Sequence, residues 1–333
     1  MTFAASDRPL HDVYDMAMLD LDGVVYVGDV AVDGAAKALA AAKAAGMTLA
    51  YITNNASRPA QVVASHLRDL GMPELRDADV VTSAQAVAGL VAEALPPGAT
   101  VLVVGGEGLQ VALEHRGLVC VSSLDDQPAA VVQGFHPDVG WSALAEASYA
   151  IAAGLPWFVS NTDLTVPTAR GVAPGNGSLV QAVRNATRAT PVVAGKPERA
   201  LLDETIARLG ASRPLMVGDR LDTDIDGAIN AGVDSLAVLT GVCTAQDVAD
   251  AEQHHRPSFV GPDLCGLLVA HPPVQLLERE ARCAGVAARL EGEQVVVDGD
   301  ATSVPALRAA ISLAWSVRDA SGLRVRLDGM MDR

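Results

Sequence analysis

The sequence predicts an α/β protein built on parallel sheets, and three observations carry that reading. Short β-rich runs alternate with alanine-rich helical stretches from Ala17 to about Ala270. The strand-like runs are near-continuously hydrophobic, as strands covered on both faces are. Polar residues suited to chemistry collect just past those runs, at the carboxyl ends of strands where such folds place their sites.

The elements follow in order. "MAML" precedes the helical "AAKALAAAKAAG", "TLAYIT" precedes "PAQVVASHLRDLG", "TVLVVGG" precedes "GLQVALEHRG", and "PLMVG" precedes "DIDGAINAG". At 333 residues the chain exceeds one typical core, so more than one domain is expected. Half of the residues are apolar and 3% are aromatic, a well-packed globular composition. The net charge of −16 excludes a broad nucleic-acid surface, which relies on clustered Lys and Arg. A small anionic substrate is allowed if a metal or a local lysine offsets the field. Cys120, Cys243, Cys265 and Cys283 form no CxxC pair and read as packed thiols in a reducing compartment. The opening residues carry no apolar signal core and no window reaches a membrane span, so a cytoplasmic protein without membrane partners is expected.

Four strand ends carry candidate residues. "MLDLDGVVYVG" delivers Asp20 and Asp22 at alternate positions, so both side chains leave on one side, and two close carboxylates need a compensating charge. A solvated turn and a divalent-cation site both answer to that pattern. "YITNN" places Thr53, Asn54 and Asn55 ahead of a helix whose early Pro59 suits a first turn; Thr53 or Asn54 also suits a helix cap. "VVAGKPE" sets Lys196 just before a helix entered through Pro197, where a plain surface lysine is the alternative. "LMVGDRLDTDIDGA" brings Asp219, Asp222, Asp224 and Asp226 after a strand. This last run mimics a calcium loop, but the final ligand position holds Val233, inside what reads as a helix, in place of Glu.

Thirty-three residues separate Asp20 from Thr53, room for a short flap and one helix. The 143 residues from Thr53 to Lys196 require an inserted α/β unit, placed at 84–189, between a core of 1–83 and 190–271. "VVGGEG" at 103–108 reads as a turn within that insert, since a full dinucleotide fingerprint is missing.

Taken together and in this order, DxDG, a strand-end Thr, a Lys before a helix and GDxxxTD resemble the haloacid dehalogenase superfamily, closest to its p-nitrophenyl-phosphatase-like branch. The resemblance spans Met16 to about Ala270. It implies a doubly wound parallel-sheet core with the insert as a cap domain, and a magnesium-dependent phosphatase acting on small phosphate monoesters. In such enzymes Asp20 would attack phosphorus to form an aspartyl-phosphate, and Asp22 would protonate the leaving alkoxide and then activate water. Magnesium would be held by Asp20, the backbone carbonyl of Asp22 and Asp219, with Asp224 in support. Thr53, Asn54, Asn55 and Lys196 would bind phosphate. "DGVVYVGDVAVDG" would be the flap beside the nucleophile. The cap stretch "SNTDLTVPTARGVAPGNGS" looks like the substrate loop of this branch, with Asn161, Asp163 and Arg170 as candidates. Its lack of aromatic and histidine residues favours glycerol 3-phosphate or 2-phosphoglycolate over pyridoxal phosphate; a pyridoxal-phosphate or other sugar or nucleotide phosphatase is the alternative. A phosphotransferase or mutase would use the same aspartates, and a non-catalytic binding protein would need fewer of the four sites. The resemblance also allows a homodimer assembled through the cap.

The double proline Pro272-Pro273 reads as the end of a helix and a linker. Beyond it, 274–333 reads as an accessory α+β module: a short helix "QLLERE", strands in "GVAARLEG" and "EQVVVDG", a helix "SVPALRAAISLAWSVRDASG" and a strand "LRVRLDG". It faintly resembles part of an acetyltransferase fold but has no glycine-rich coenzyme A loop. A unit so small must pack the apolar helix face of Leu307, Ile311, Ala314 and Trp315 on the core or on another subunit.

Overall fold

The computed structural model describes residues 2–168, 170–327 and 329–330. The chain forms two compact units, one of Met1–Ala50, Leu70–Pro73 and Ala211–Arg333, the other of Tyr51–Asp69 and Glu74–Gly210. The strand Thr48–Thr53 begins in the first and ends in the second.

In the first unit, Phe259–Gly261, Asp234–Val238, Pro214–Gly218 and Met16–Leu19 lie side by side in that order, all parallel. Every residue of Met16–Leu19 is buried, as expected for an unalternating apolar strand with cover on both faces. Helix Ala35–Ala44 turns in Ala35, Ala38, Leu39 and Ala42, the spacing of one helical face. Between strand and helix, Tyr26–Val27 and Val30–Ala31 pair as a small antiparallel hairpin, where the sequence predicts a flap. Val233 lies outside any helix. The helix Asp226–Ala231 ends at Gly232 (φ 73), and Val233 leads into the next strand.

The second unit is built on a five-stranded parallel sheet in the order Val192–Val193, Trp157–Val159, Ala130–Gln133, Thr100–Val104, Val119–Val121. Helices Trp141–Ala152 and Asn176–Thr187 cover one face through a cluster that includes Leu102, Val131, Ile151, Trp157 and Val180. A hairpin, Thr165–Thr168 with Gly171–Pro174, stands ahead of the second of these helices; Ala169 lies outside the described residues. Gly105 and Gly106 form the plain strand-to-helix turn expected at "VVGGEG".

The tail makes a five-stranded sheet in chain order, Gln275–Leu276, Glu280–Cys283, Val286–Glu291, Gln294–Val297 and Arg326–Leu327, antiparallel except for the last pair. Helix Val304–Ser321 is capped by Ser303 and closed by Gly322 at φ 74. Two expectations are corrected. Residues 275–280 are strand and turn, because Leu277 N donates to Glu280 O at 2.7 Å and turns the chain back on itself. Sheet pairing there overrides the helix propensity of Leu, Glu and Arg. The double proline follows a 3-10 turn, Leu264–Leu268, and a short strand, Ala270–His271, which pairs with Ser6–Pro9. Of the last expected strand only Arg326–Leu327 forms, and Asp328 lies outside the described residues.

The predicted helix face packs on the parallel-sheet unit itself. Leu307, Ile311, Ala314 and Trp315 are buried in one cluster with Ile225, Ala237, Val248 and Val260 on one side and Ala281, Ala288 and Val295 of the tail sheet on the other. Trp315 Nε1 donates to Val248 O at 2.8 Å. Arg256 binds Asp319 through two hydrogen bonds of 2.8 and 2.6 Å and lies over the Trp315 ring. The cysteines divide, which corrects the reading of all four as packed. Cys243 and Cys283 are buried, Cys120 is half-buried, and Cys265 is exposed because the inward positions of its 3-10 turn go to Leu264, Gly266 and Leu267.

Two predictions follow from this packing. A chain ending at Ala270 would uncover Ile225, Val248 and Val260, each large apolar side chain being worth about 1.5–3 kcal/mol when buried. It is expected to aggregate or change oligomeric state in size-exclusion chromatography; a monodisperse truncation as stable as the whole chain would contradict the shared core. His271 is fully buried, and burial brings its pKa down to about 4, helped by the nearby Arg308 charge. The unfolded chain therefore takes up a proton near pH 6.5 that the folded chain refuses, and stability falls as pH drops from 6.5 towards 4, by up to ~3 kcal/mol. His271→Gln, which keeps the donor to Gly266 O, is expected to flatten the change in urea midpoint between pH 7 and pH 4.5.

Candidate active site

The pairing of Met16–Leu19 with Pro214–Gly218 sets Leu19 opposite Val217, and Asp20 N continues the ladder to Val217 O at 2.9 Å. Asp20 and Asp219 therefore emerge at the same edge of the same two strands. Asp224 joins them by a local device. Leu221–Ile225 forms a π-helical turn, with Ile225 N donating to Arg220 O at 3.2 Å, and Asp224 Oδ2 accepts from the N–H groups of Asp219 and Arg220, both at 3.1 Å. Such turns recur at functional sites. Ligand oxygens of Asp20, Asp219 and Asp224 lie within 4.8 Å of one another, with Asp219 and Asp224 fully buried.

Three carboxylates that close repel by about 3–4 kcal/mol per pair at the effective dielectric of a protein surface, so the donor set suits a hard divalent cation with oxygen ligands. The surroundings fit that reading. A Cβ on Gly241 would stand 1.8 Å from Asp219 Oδ2, and one on Gly23 2.4 Å from it, so glycine alone lets two loops close around this carboxylate. Val242 N donates to Asp219 Oδ2, Cys243 N to Asp219 O, and Thr240 Oγ1 to Gly23 O. The loop 240–243 carries no motif; its signal is a glycine three residues past the strand Asp234–Val238. The Cys243 thiol is no ligand. Burial, reinforced by the Asp219 carboxylate, pushes it up to about 12.

The remaining aspartate carboxylates are not part of this three-residue cluster. Asp22 is exposed in the turn. Asp222 pairs with Arg220, whose hydrogen bonds hold its carboxyl below the usual range, and Asp226 contacts His255. Asp222, Asp224 and Asp226 thus serve three different partners, which a calcium loop does not allow.

In the second unit, Thr53 and Lys196 are buried. Thr53 Oγ1 accepts from Asn55 N at 3.1 Å, and Asn55 Oδ1 accepts from Ser57 N at 2.8 Å. Neither Thr53 nor Asn54 caps the following helix, which begins at Ala60; the helix after Lys196 begins at Ala200, three residues beyond Pro197. Asn54 spends its carboxamide on Lys196 and Asp163. Asn161 is buried, with Nδ2 on Asn54 O at 2.6 Å and Oδ1 accepting from Asp163 N at 3.2 Å. Arg170 is exposed in the turn of the hairpin.

Gly241→Ala tests the carboxylate cradle. It is expected to displace Asp219 and weaken magnesium binding by about tenfold or more, the usual consequence of disturbing a ligand's support. Calorimetric titration of the metal-free protein reads this directly, and an unchanged affinity would contradict the cradle.

Residues 17–119 match the model of the haloacid dehalogenase-like hydrolases, and residues 193–267 a second, HAD-hydrolase-like model. The chain is 44% identical over 314 residues to D-glycerol 3-phosphate phosphatase of Mycobacterium tuberculosis, covering 92% of this chain and 87% of that one. It is 36% identical to acid sugar phosphatase of Staphylococcus aureus, over 74% of this chain and 94% of that protein. The crystal structure of the M. tuberculosis glycerol phosphate phosphatase with magnesium superposes with a TM-score of 0.84 at 42% identity, covering 96% of this chain and 95% of that one; this leaves too little out for the tail to be missing from the match. The 4-nitrophenylphosphatase of Thermotoga maritima superposes at 0.72 with 30% identity, over 78% of this chain and 98% of its own. The chain belongs to the haloacid dehalogenase-like hydrolases, in their p-nitrophenylphosphatase-like branch.

Proposed function

We propose that the chain is a magnesium-dependent phosphatase of small polyol phosphates, with glycerol 3-phosphate as its substrate and an aspartyl-phosphate on Asp20 as its intermediate. The observation that carries the reading is the cluster of Asp20, Asp219 and Asp224 at the ends of adjacent parallel strands. The relative named D-glycerol 3-phosphate phosphatase and the small, polar, non-aromatic loop 160–178 support the choice of substrate. The segments 1–83 and 190–271 supply the chemistry, 84–189 selects the substrate, and the enzyme works in the cytoplasm.

Asp20, the backbone carbonyl of Asp22, Asp219 and Asp224 would hold magnesium, which neutralises charge on the transferring phosphoryl group. The Asp20 carboxylate attacks phosphorus, the bond from phosphorus to the alkyl oxygen breaks, and Asp22 gives that oxygen its proton. Thr53 and Lys196 carry the remaining phosphate oxygens, as hydroxyl and point charge. Asp22 then takes a proton from water, which attacks the aspartyl-phosphate, releases inorganic phosphate and restores Asp20. The exposure of Asp22 suits a group that must meet both leaving group and water.

Phosphate release across a panel of metabolites tests the reading. Glycerol 3-phosphate is expected to exceed pyridoxal phosphate and nucleotides in kcat/KM; hexose phosphates in first place would favour the sugar phosphatase relatives. Asp20→Asn keeps the shape and removes the nucleophile, so activity is expected to fall by roughly four orders of magnitude or more. Asp22→Asn is expected to lower kcat/KM, which reports the phosphoryl-transfer step, by about 100-fold or more for glycerol 3-phosphate and by much less for p-nitrophenyl phosphate, whose leaving group scarcely needs a proton, while loss of the base slows hydrolysis of the aspartyl-phosphate for both. Equal losses of kcat/KM on the two substrates would remove Asp22 from the acid role.

A further inference from the structure

Lys196 is 2% exposed, and a lysine serves an anion at one spot only if its main chain is held, because its flexible stem otherwise lets the ammonium drift. The hold comes from Asn54. Its Oδ1 accepts from Lys196 N at 2.8 Å, and its Nδ2 donates to Lys196 O at 3.0 Å. The carboxamide thus takes both main-chain groups of one residue, as a neighbouring strand would. The same Nδ2 reaches Asp163 Oδ1 and Oδ2 at 3.3 and 3.2 Å.

Asn54 is itself held from the other side. Its carbonyl accepts from Ser83 Oγ at 2.5 Å and Asn161 Nδ2 at 2.6 Å, and Asn161 O accepts from Asn176 Nδ2 at 2.7 Å. Ser83, Asn161 and Asn176 are buried, where an amide that loses its partner costs its full desolvation. Gly195 lets the segments approach: a Cβ there would lie 2.7 Å from Asn54 Oδ1 and 2.6 Å from Ser160 O.

We propose that Asn54 is a positioning residue: its carboxamide, spent on Lys196 and Asp163, holds the main chain of Lys196, and thereby the ammonium that binds phosphate, and the carboxamide makes no contact with phosphate itself. This rests on the phosphatase reading above. Its geometric basis lies wholly within the second unit.

A double-mutant cycle tests it. The magnesium-loaded full chain, Asn54→Ala, Lys196→Ala and the double variant are compared in kcat/KM for glycerol 3-phosphate and in inhibition by inorganic phosphate. Asn54→Ala alone is expected to lose about 100-fold, the scale on which misplacement of a catalytic group by an ångström is felt. With Lys196 already replaced, the same change is expected to cost no more than about threefold, because coupled residues are not additive. A full second loss in the Lys196→Ala background would mean that Asn54 acts on its own and would overturn the proposal, as would an Asn54→Ala enzyme with unchanged kinetics. Should Asn54→Ala fold poorly, Asn54→Ser keeps a small polar side chain that cannot span both main-chain groups of Lys196, without setting a second carboxylate against Asp163; it is expected to show a loss of the same order with the same non-additivity. Failure of the wild type to release phosphate from any monoester would bring down the phosphatase reading and the proposal with it. An active wild type with multiplying losses would bring down the proposal alone.

Discussion

Parallel pairing of Met16–Leu19 with Pro214–Gly218 is the constraint from which the carboxylate site is built. Because the strands run the same way and Leu19 stands opposite Val217, both deliver an aspartate at the same edge. An antiparallel pairing would send Asp20 and Asp219 to opposite ends. The π-helical turn Leu221–Ile225 then returns Asp224 to the amides that follow the strand, so the third carboxylate is placed by five residues of local backbone. The loop 240–243 closes on Asp219 from a third strand. The Asp219 and Asp224 carboxylates are seated by main-chain N–H groups, which gives the site the rigidity that electrostatic work on phosphate requires.

The tail belongs to the same economy of burial. Its helix lies between two apolar layers, and the residues that look like an accessory module in the sequence complete the core beneath Asp234–Val238 and Phe259–Gly261. Arg308 shows how closely it is integrated. Fully buried, it donates to Pro272 O at 3.0 Å and Ala4 O at 2.6 Å and lies over the Phe3 ring. One side chain thereby ties the start of the chain to the crossing at 272 and to the last helix.

The second unit solves a different problem. Its sheet is buried by ordinary apolar packing, but the loops that carry Asn54, Asn161, Asp163 and Lys196 are joined by amides and one hydroxyl. Polar groups with fixed donors and acceptors specify geometry more narrowly than apolar contacts, and a network whose members share partners loses more than one bond when one member is removed.

Local chemistry was legible in the sequence. The parallel-sheet class follows from unalternating apolar strands, and helices such as Ala35–Ala44 from their own periodicity. The candidates Asp20, Asp22, Thr53, Lys196 and Asp219 stand out because each ends a strand or follows one within three residues. What depended on distant segments was not legible. The stretch 275–280 has the composition of a helix, and only the pairing of Gln275–Leu276 with Glu280–Cys283 makes it a strand and turn. Nothing near Gly241 announces that it lines Asp219, and nothing in "YITNN" announces that Asn54 turns its carboxamide to Lys196, 142 residues further along the chain. Propensity and periodicity are set by neighbours in sequence. Which donor meets which acceptor is decided when burial brings remote loops together and leaves no water to satisfy them.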